Sequence, residues 1–512
     1  MSNTSEVEKL EVSCNGGLYL DRALQNIPPG SAIQLQNYEP GTQGGYRLIN
    51  GYTTYDANAL TGTGIVLGIA FLGTKVIGCR GANVMYSTGA GWTSITSGRT
   101  SASRYHFDRY NWSGTEKLIM ADSVNAAATY DLTTYTLMNG VIGSGSGTAP
   151  TAPVDVKEFK GHMFYAQGNN LTFSAPFSEN NFLPGAGAGV LIASGTIRAL
   201  KVFREELYIL CHNSIQKLIG DTIISFKLVP VTKNIGCVSG WTVQEIGGDI
   251  VFLAPDGLRT IAGTTKIDDI DIGSISQHLN NEIKNLDETT YTFSSMVIRN
   301  KNQYRMWYVT SPQIDAAAKG IIATLRTGDS SAGAEAGLHW EYSQLLGIKP
   351  SYSASGFITN AEYFLHGGYT DGIIYRQEVG SSFNGSNIPY IYRSPDLSIA
   401  DMGIRKRVKR VILNIKYEGE NSPGVYVIYD FGSVEVAQPA VYQTTFPEEV
   451  YIYDDAGSIY GTSTYYTNAE ALDRIWVQGS GFTVALKVSG TGIDYPFTIR
   501  GFQLEYAQGG RR

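Results

Sequence analysis

The sequence predicts an all-β chain: a β-propeller of six or seven blades with an additional C-terminal β-sandwich-like domain. Three observations predict it. One phrase of strand, turn and strand recurs along the first two-thirds of the chain. Its spacing stays near the length of one four-stranded propeller blade. Helical periodicity is scarce, whereas 59 glycines and 33 tyrosines stand against 17 prolines, a balance that fits many short strands and tight turns rather than disorder.

The clearest copy of the phrase is GDIVFLAPDGLRTI, residues 248–261. Ile250, Val251, Phe252, Leu253 and Ala254 form an apolar run of strand length. Pro255, Asp256 and Gly257 supply the turn: proline presets φ, and glycine accepts the conformations a tight turn imposes. Leu258 to Ile261 run back. A run apolar at successive positions is expected to be buried on both faces. The first strands of five such copies begin at residues 76, 118, 163, 207 and 250, in steps of 42, 45, 44 and 43. Two looser copies begin at Tyr304 and Tyr363, with insertions between them. A sandwich or solenoid whose strands merely resemble one another is the competing reading, and the even spacing argues against it.

In chain order, residues 1–56 are expected to form an N-terminal extension and closing strands, 57–382 the propeller, and 383–512 the C-terminal β domain. Extended pieces within 33–56 flank Pro40-Gly41 and Gly44-Gly45, and one such strand can close the ring and remove an exposed edge. Residues 143–152, GSGSGTAPTA, read as a flexible connection, and 314–320 and 330–337 as loops or a short helix. The best helix candidate is 269–286: Ile275, Leu279, Ile283 and Leu286 share one face, with Ser274 as N-cap and Gln277 completing a capping box. Beyond residue 383 the repeat stops. Val408, Val411, Leu413 and Ile415 sit among polar residues, and 482–488 and 497–506 alternate.

The chemistry-bearing residues form no catalytic signature. No G-x-S-x-G elbow, H-E-x-x-H motif or Walker loop occurs, so no catalytic, cofactor-binding or metal-binding residue is assigned and the chain is read as a non-enzyme. Gly62-Thr63-Gly64 resembles half a phosphate loop but precedes a strand, so a plain turn is the better reading. Asp268, Asp269 and Asp271 lack EF-hand spacing and read as a solvated acidic turn. His106 and Asp108 share a strand face and read as a surface pair rather than a metal or acid–base site. Cys14, Cys79, Cys211 and Cys237 are widely spaced and read as four free thiols. Residues 1–13 show no signal-peptide pattern, and no apolar run is long enough to span a bilayer as a helix. A net charge of −7 argues against broad nucleic-acid affinity. The one concentrated charge run is Arg405, Lys406, Arg407, Lys409 and Arg410. On a regular strand Arg405, Arg407 and Lys409 would face one way, and Lys406, Val408 and Arg410 the other. These five are the interface candidates, against a plain solvated strand or contact with DNA phosphates.

The two ends carry a family resemblance. Asn15–Gly16–Gly17–Leu18, Pro29 to Ala32, Leu35 to Pro40 and Gly44 to Tyr52 (GGYRLINGY) lie at one end, and YPFTIRGFQLEYAQGGRR at the other. Together they resemble virion structural proteins of tailed bacteriophages, and most closely the tail nozzle, or hub, proteins of short-tailed phages. The middle of the chain resembles them only in its blade pattern. The resemblance implies a homo-oligomer, a hexamer, around a DNA channel in the virion tail, assembled in the bacterial host's cytoplasm. It implies docking to an adaptor or portal ring, to tail fibre or needle proteins, and transient passage of genomic DNA, without membrane insertion and without a cofactor. The alternative is a carbohydrate-binding or carbohydrate-cleaving propeller acting as a receptor-binding tail protein. Its mark would be aromatic and acidic groups gathered at one end of the propeller axis.

Overall fold

The computed structural model describes residues 7–23, 26–100, 103–138, 149–262, 274–310, 318–327, 338–399, 401–444 and 470–511. The stretches 143–148, 314–317 and 330–337, read above as loops, lie outside the described residues, as do Asp268, Asp269 and Asp271.

The seven copies of the phrase become seven blades. Their second strands are Lys75–Arg80, Lys117–Ala121, His162–Gln167, Glu206–Cys211, Asp249–Ala254, Gln303–Thr310 and Ala361–Gly368. Each lies inside an antiparallel blade, a separate sheet of four strands in blades one to four and seven and of three described strands in blade five, while the four strands of blade six belong to a larger sheet. A second strand is covered by the blades on both sides, which is why its sequence is apolar at successive positions. Ile250, Val251, Phe252, Leu253 and Ala254 are all buried, as the sequence predicts. The turn after them is two residues long, with Ala254 paired to Gly257. Outer strands such as Trp92–Thr96 are half-exposed, and their sequences carry little signal.

Among the first five blades each neighbouring pair traps its own apolar cluster, whereas blade six shares one large cluster with the sandwich. Ile77 and Leu118 belong to the cluster between blades one and two, Ile119 and Met163 to that between two and three, Phe164 and Ile209 to that between three and four, and Leu210 and Phe252 to that between four and five. The ring closes where Val66, Ile69 and Phe71 of blade one meet Tyr352, Leu365 and Ile374 of blade seven. The seam is tight: a Cβ on Gly367 would sit 2.4 Å from Val66, and one on Gly356 2.3 Å from Phe71. Only the missing side chains let these backbones approach. The outer strand of blade seven comes from the other end of the propeller: Tyr52–Thr54 pairs with Ile374–Gln377. This is the closing strand expected within 33–56.

The remaining β-structure is a sandwich woven from both chain ends. In one sheet Phe497–Arg511 pairs with Glu8–Ser13, Tyr46–Leu48 and Ile404–Tyr417, and the last also pairs with Glu470–Trp476. The other sheet runs Gln34–Gln36, Ile388–Arg393, Val484–Gly492, Gly424–Tyr429, Tyr442–Gln443. It continues into blade six, because Gln36 pairs in parallel with Gln344 of Leu338–Leu346. Val411 and Leu413 of the first sheet and Val425 and Leu486 of the second lie in one buried cluster. Glu8–Ser13, Gln34–Gln36 and Tyr46–Leu48, within the stretch read in sequence as an extension with closing strands, are thus strands of the sandwich.

The helix predicted over 269–286 is shorter than its pattern. A 3-10 turn, Gln277–Leu279, leads into a single α turn, Asn280–Ile283. Its apolar face is as expected, with Leu279, Ile283 and Leu286 buried. It cannot start at Ser274, because Ile275 N–H donates to Leu258 O (2.9 Å) and Leu258 N–H donates to Ser276 Oγ (2.9 Å). Those bonds hold 275 and 276 against blade five, and Ser276 O instead accepts the first turn's bond from Leu279 N–H (2.8 Å). Asn285 then takes φ 62°, which ends the helix.

Candidate functional site

The polar side chains of the inner strands meet across the propeller axis. His106 and Asp108 stand on the first strand of blade two, and Asp155 and Lys157 on that of blade three. His106 Nδ1 lies 3.7 Å from Asp155 Oδ1, and Lys157 Nζ lies 3.5 Å from Asp155 and 3.9 Å from Asp108. The His106 ring stacks on Trp241 at 3.9 Å between centroids. Arg104 places its guanidinium 4.1 Å from the same indole and 5.4 Å from the Tyr352 ring, and donates to Phe293 O of blade six. Side chains of blades two, three and seven and of the segment entering blade five therefore fasten one another across the axis.

This corrects the sequence reading of His106 and Asp108 as a surface pair: they face inward. Burial pulls the His106 imidazole down to about 4 against the attraction of Asp155, and raises the Asp108 carboxyl against the pull of Lys157. Burial also works against the charge of Lys157, but Asp155 and Asp108 outweigh it and raise its value. Lys201 is lowered by burial and by Lys157. The signal that could have revealed this is the recurrence of polar residues two apart, 106/108 and 155/157, just ahead of two apolar second strands.

The cluster's acceptors are already engaged. Asp155 accepts Val156 N–H (2.8 Å) and Leu200 N–H (2.7 Å), and Asp108 accepts Glu158 N–H (2.7 Å). Lys157 Nζ also donates to Phe107 O (2.7 Å). Asp155 thus gives both of its oxygens, and Asp108 one, to the protein's own donors. Among the described residues no three His, Cys, Asp or Glu side chains gather closely enough to hold a metal ion. Gly62 and Gly64 lie in a turn bound by Arg80, which donates to Gly64 O (2.9 Å) and Leu60 O (2.9 Å). That loop presents carbonyls, the wrong groups for a phosphate.

A second charged cluster joins the propeller to the sandwich. Glu39, on Tyr38–Pro40, meets Lys301 (2.7 Å), Arg305 (3.0 Å) and Arg47 (3.3 Å). Glu378 pairs with Arg305 (2.7 Å) and with Lys301, and Arg47 pairs with Glu418 (2.6 Å). Glu39 and Arg305 are 2% and 1% exposed, so each charge depends on its partners for solvation. Beside them lies a cavity of about 710 Å³ lined by Glu39, Arg47, Asn50, Lys301 and Arg326.

The five interface candidates do not form one surface. They stand on Ile404–Tyr417, whose register with Phe497–Arg511 shifts between Val408 and Arg410. Lys406 and Val408 point inward before this bulge, and Val411, Leu413 and Ile415 after it. The face assignment made for a regular strand therefore fails at Arg410, which the bulge swings outward. Lys406 is buried, and its Nζ donates to Ser398 O (3.4 Å), Phe482 O (3.2 Å) and Asp401 O. Arg405 donates to Ser480 O (3.4 Å), and Arg407 is exposed. Lys409 is half-buried. Arg410 binds Glu505 through Nε (2.8 Å) and a terminal nitrogen (2.7 Å), with Trp476 5.2 Å away.

No family model matches the chain, and no curated protein does. Among solved structures it is similar to an ancestral GH74 enzyme, with 11% identity and TM-score 0.38 over 67% of this chain and 51% of that one. An extracellular domain from B. thetaiotaomicron gives 11% identity and TM-score 0.37, covering 70% and 43%. A nidogen/laminin complex gives 12% and 0.27, covering 40% and 78%. The chain spans about half the length of the first two.

Proposed function

We propose that the chain is a structural subunit of the tail of a short-tailed bacteriophage, a nozzle assembled as a ring of six copies below the portal and its adaptor. The observation that carries this reading is where the resembling residues lie. Tyr46 Oη lies 2.8 Å from both Asn15 O and Gly30 O, which share its one proton, and accepts Gly17 N–H (3.0 Å). Arg500, in the C-terminal stretch, donates to Gln43 Oε1 (3.0 Å), and Cys14 N–H donates to Arg500 O (2.8 Å). Two stretches more than 400 residues apart thus build one unit, and that convergence supports treating them as one family feature. Fusion of this unit to blade six gives a stiff body suited to a load-bearing ring.

A carbohydrate-binding propeller is the second reading. Trp241 and Tyr352 with Asp108 and Asp155 near the axis favour it, since aromatic and acidic groups are its mark. Against it, the indole already carries a stacked imidazole and a guanidinium, and the carboxylates are committed to internal donors. Native mass spectrometry combined with a glycan array separates the two. A six-fold mass without glycan binding is expected; a monomer that binds or cleaves glycans would overturn the nozzle reading.

A further inference from the structure

A cavity of about 600 Å³ opens on blade four, apart from both charged clusters. Three segments wall it. Ser194 to Thr196 lead from blade three into blade four, and His212 to Ser214 turn between Glu206–Cys211 and Ile215–Ile219. Pro230, Thr232 and Lys233 stand at the end of the outer strand. Backbone bonds pin these segments: Ala193 N–H donates to Asn169 O (2.8 Å), His212 N–H to Thr196 O (3.0 Å) and Cys211 N–H to Ser214 O (2.9 Å). The walls are therefore set before anything binds.

Gln216 reaches the cavity from Ile215–Ile219 and is only 9% exposed. Its Oε1 accepts Ser194 N–H (2.8 Å), which fixes the other end of the carboxamide as the donor. Among the described residues no acceptor takes the hydrogens of that Nε2. A buried donor left without an acceptor is costly, and an acceptor inside the cavity relieves it. A register shift sets the residue there. Ile215 pairs with Thr232 but Gln216 with Pro230, which leaves Val231 over. The bulge lets Gln216 and Thr232, which would alternate on a regular ladder, line one cavity.

The rest of the lining is polar. Ser194 Oγ lies 2.6 Å from Ser214 Oγ, and Thr196, Asn213 and Thr232 add groups that both give and accept hydrogen bonds. Among the described residues no aspartate or glutamate lines the cavity, so the positive charge of Lys233 is left to a ligand. An ammonium and a buried N–H donor, with no carboxylate beside them, select an anion. The hydroxyls and carboxamides suit a ligand with hydroxyls of its own.

We propose that this cavity binds a small hydroxylated anion, its carboxylate or phosphate held by Lys233 Nζ and Gln216 Nε2. The proposal goes beyond the ring reading and is independent of it, because every residue of the site comes from one chain.

The test is isothermal titration calorimetry of the full-length chain with three matched probes: gluconate, glucose 6-phosphate and glucose. At least one of the two anions should bind at millimolar concentration or below, and glucose should not. Which anion binds tells carboxylate from phosphate. Lys233→Gln removes the positive charge. Gln216→Glu keeps an acceptor for Ser194 N–H and puts a negative charge where the donor was. Lys233 is exposed, so its variant should melt as the wild type does; if Gln216→Glu melts early, Lys233→Glu replaces it. Each variant should weaken anion binding about 10-fold or more. No heat from either anion, equal binding of glucose, or undiminished anion binding by either variant would overturn the site. The mass of the assembly, six-fold or single, bears on the ring alone.

Discussion

Phe252 has no exposed surface; it packs between blades four and five with Leu210 and Ile250. Phe252→Asp would place an unpaired carboxylate there, at a cost of about 4 kcal/mol or more. A clearly lowered melting temperature is expected, and unchanged melting would contradict the packing. Lys406 makes the converse case. Burial pulls its ammonium below the usual lysine range, yet three carbonyls hold it. Lys406→Glu should cost about 3 kcal/mol, while Arg407→Glu on the exposed face should stay within about 0.5 kcal/mol. Urea titration of both variants checks this; equal midpoints would show that Lys406 is not held as described. Acid should destabilise the fold through its buried histidines. Burial lowers His366 to about 3 and His106 to about 4, both below the ordinary 6.5. The unfolded chain therefore takes up these protons first, and stability falls as pH drops from about 6.5 toward 4. Glu378 adds a later loss. Burial alone would raise it, but Arg305 and Lys301 hold it at about 2, so its contribution persists above 4.5 and fades as pH falls through about 2. His366→Gln should flatten the decline between pH 6.5 and 4 in denaturant midpoints measured across that range. An unchanged slope would remove His366 from the account.

Among the elements, the second strands were legible in the sequence because two neighbouring blades bury both of their faces. Inner strands were less so, since their axis-facing positions hold His106, Asp108, Asp155 and Lys157, which in sequence look like surface residues. The bulge after Val408 was hidden, because an extra residue changes no residue type and only flips the alternation beyond it. The helix near 277 kept its buried face but lost its first turn to hydrogen bonds with Leu258, a partner no local pattern reveals. The sandwich's composition was equally hard to read, because Glu8–Ser13 pairs with a strand nearly 500 residues away. Closure of the ring by Tyr52–Thr54 makes a direct prediction. A chain lacking residues 1–56 loses the outer strand of blade seven and the sandwich strands of residues 8–48. It should unfold over a broad transition and be cut by protease at blade seven. One sharp transition matching the full chain would show that the closing strand is dispensable.

The whole molecule combines a closed propeller with a sandwich that locks both chain ends onto blades six and seven. Arg104, His106, Trp241 and Tyr352 pack against one another near the axis, so in the proposed ring the DNA conduit would lie between subunits rather than through a propeller. An acidic chain, at −7, suits a wall past which DNA slides, because each firm phosphate contact would slow its exit. The proposed ring is tested most directly by electron-microscope class averages of the purified full-length chain at high concentration. Six propellers around a central hole wide enough for a DNA duplex are predicted; single propellers with no hole, at every concentration tried, would contradict the account.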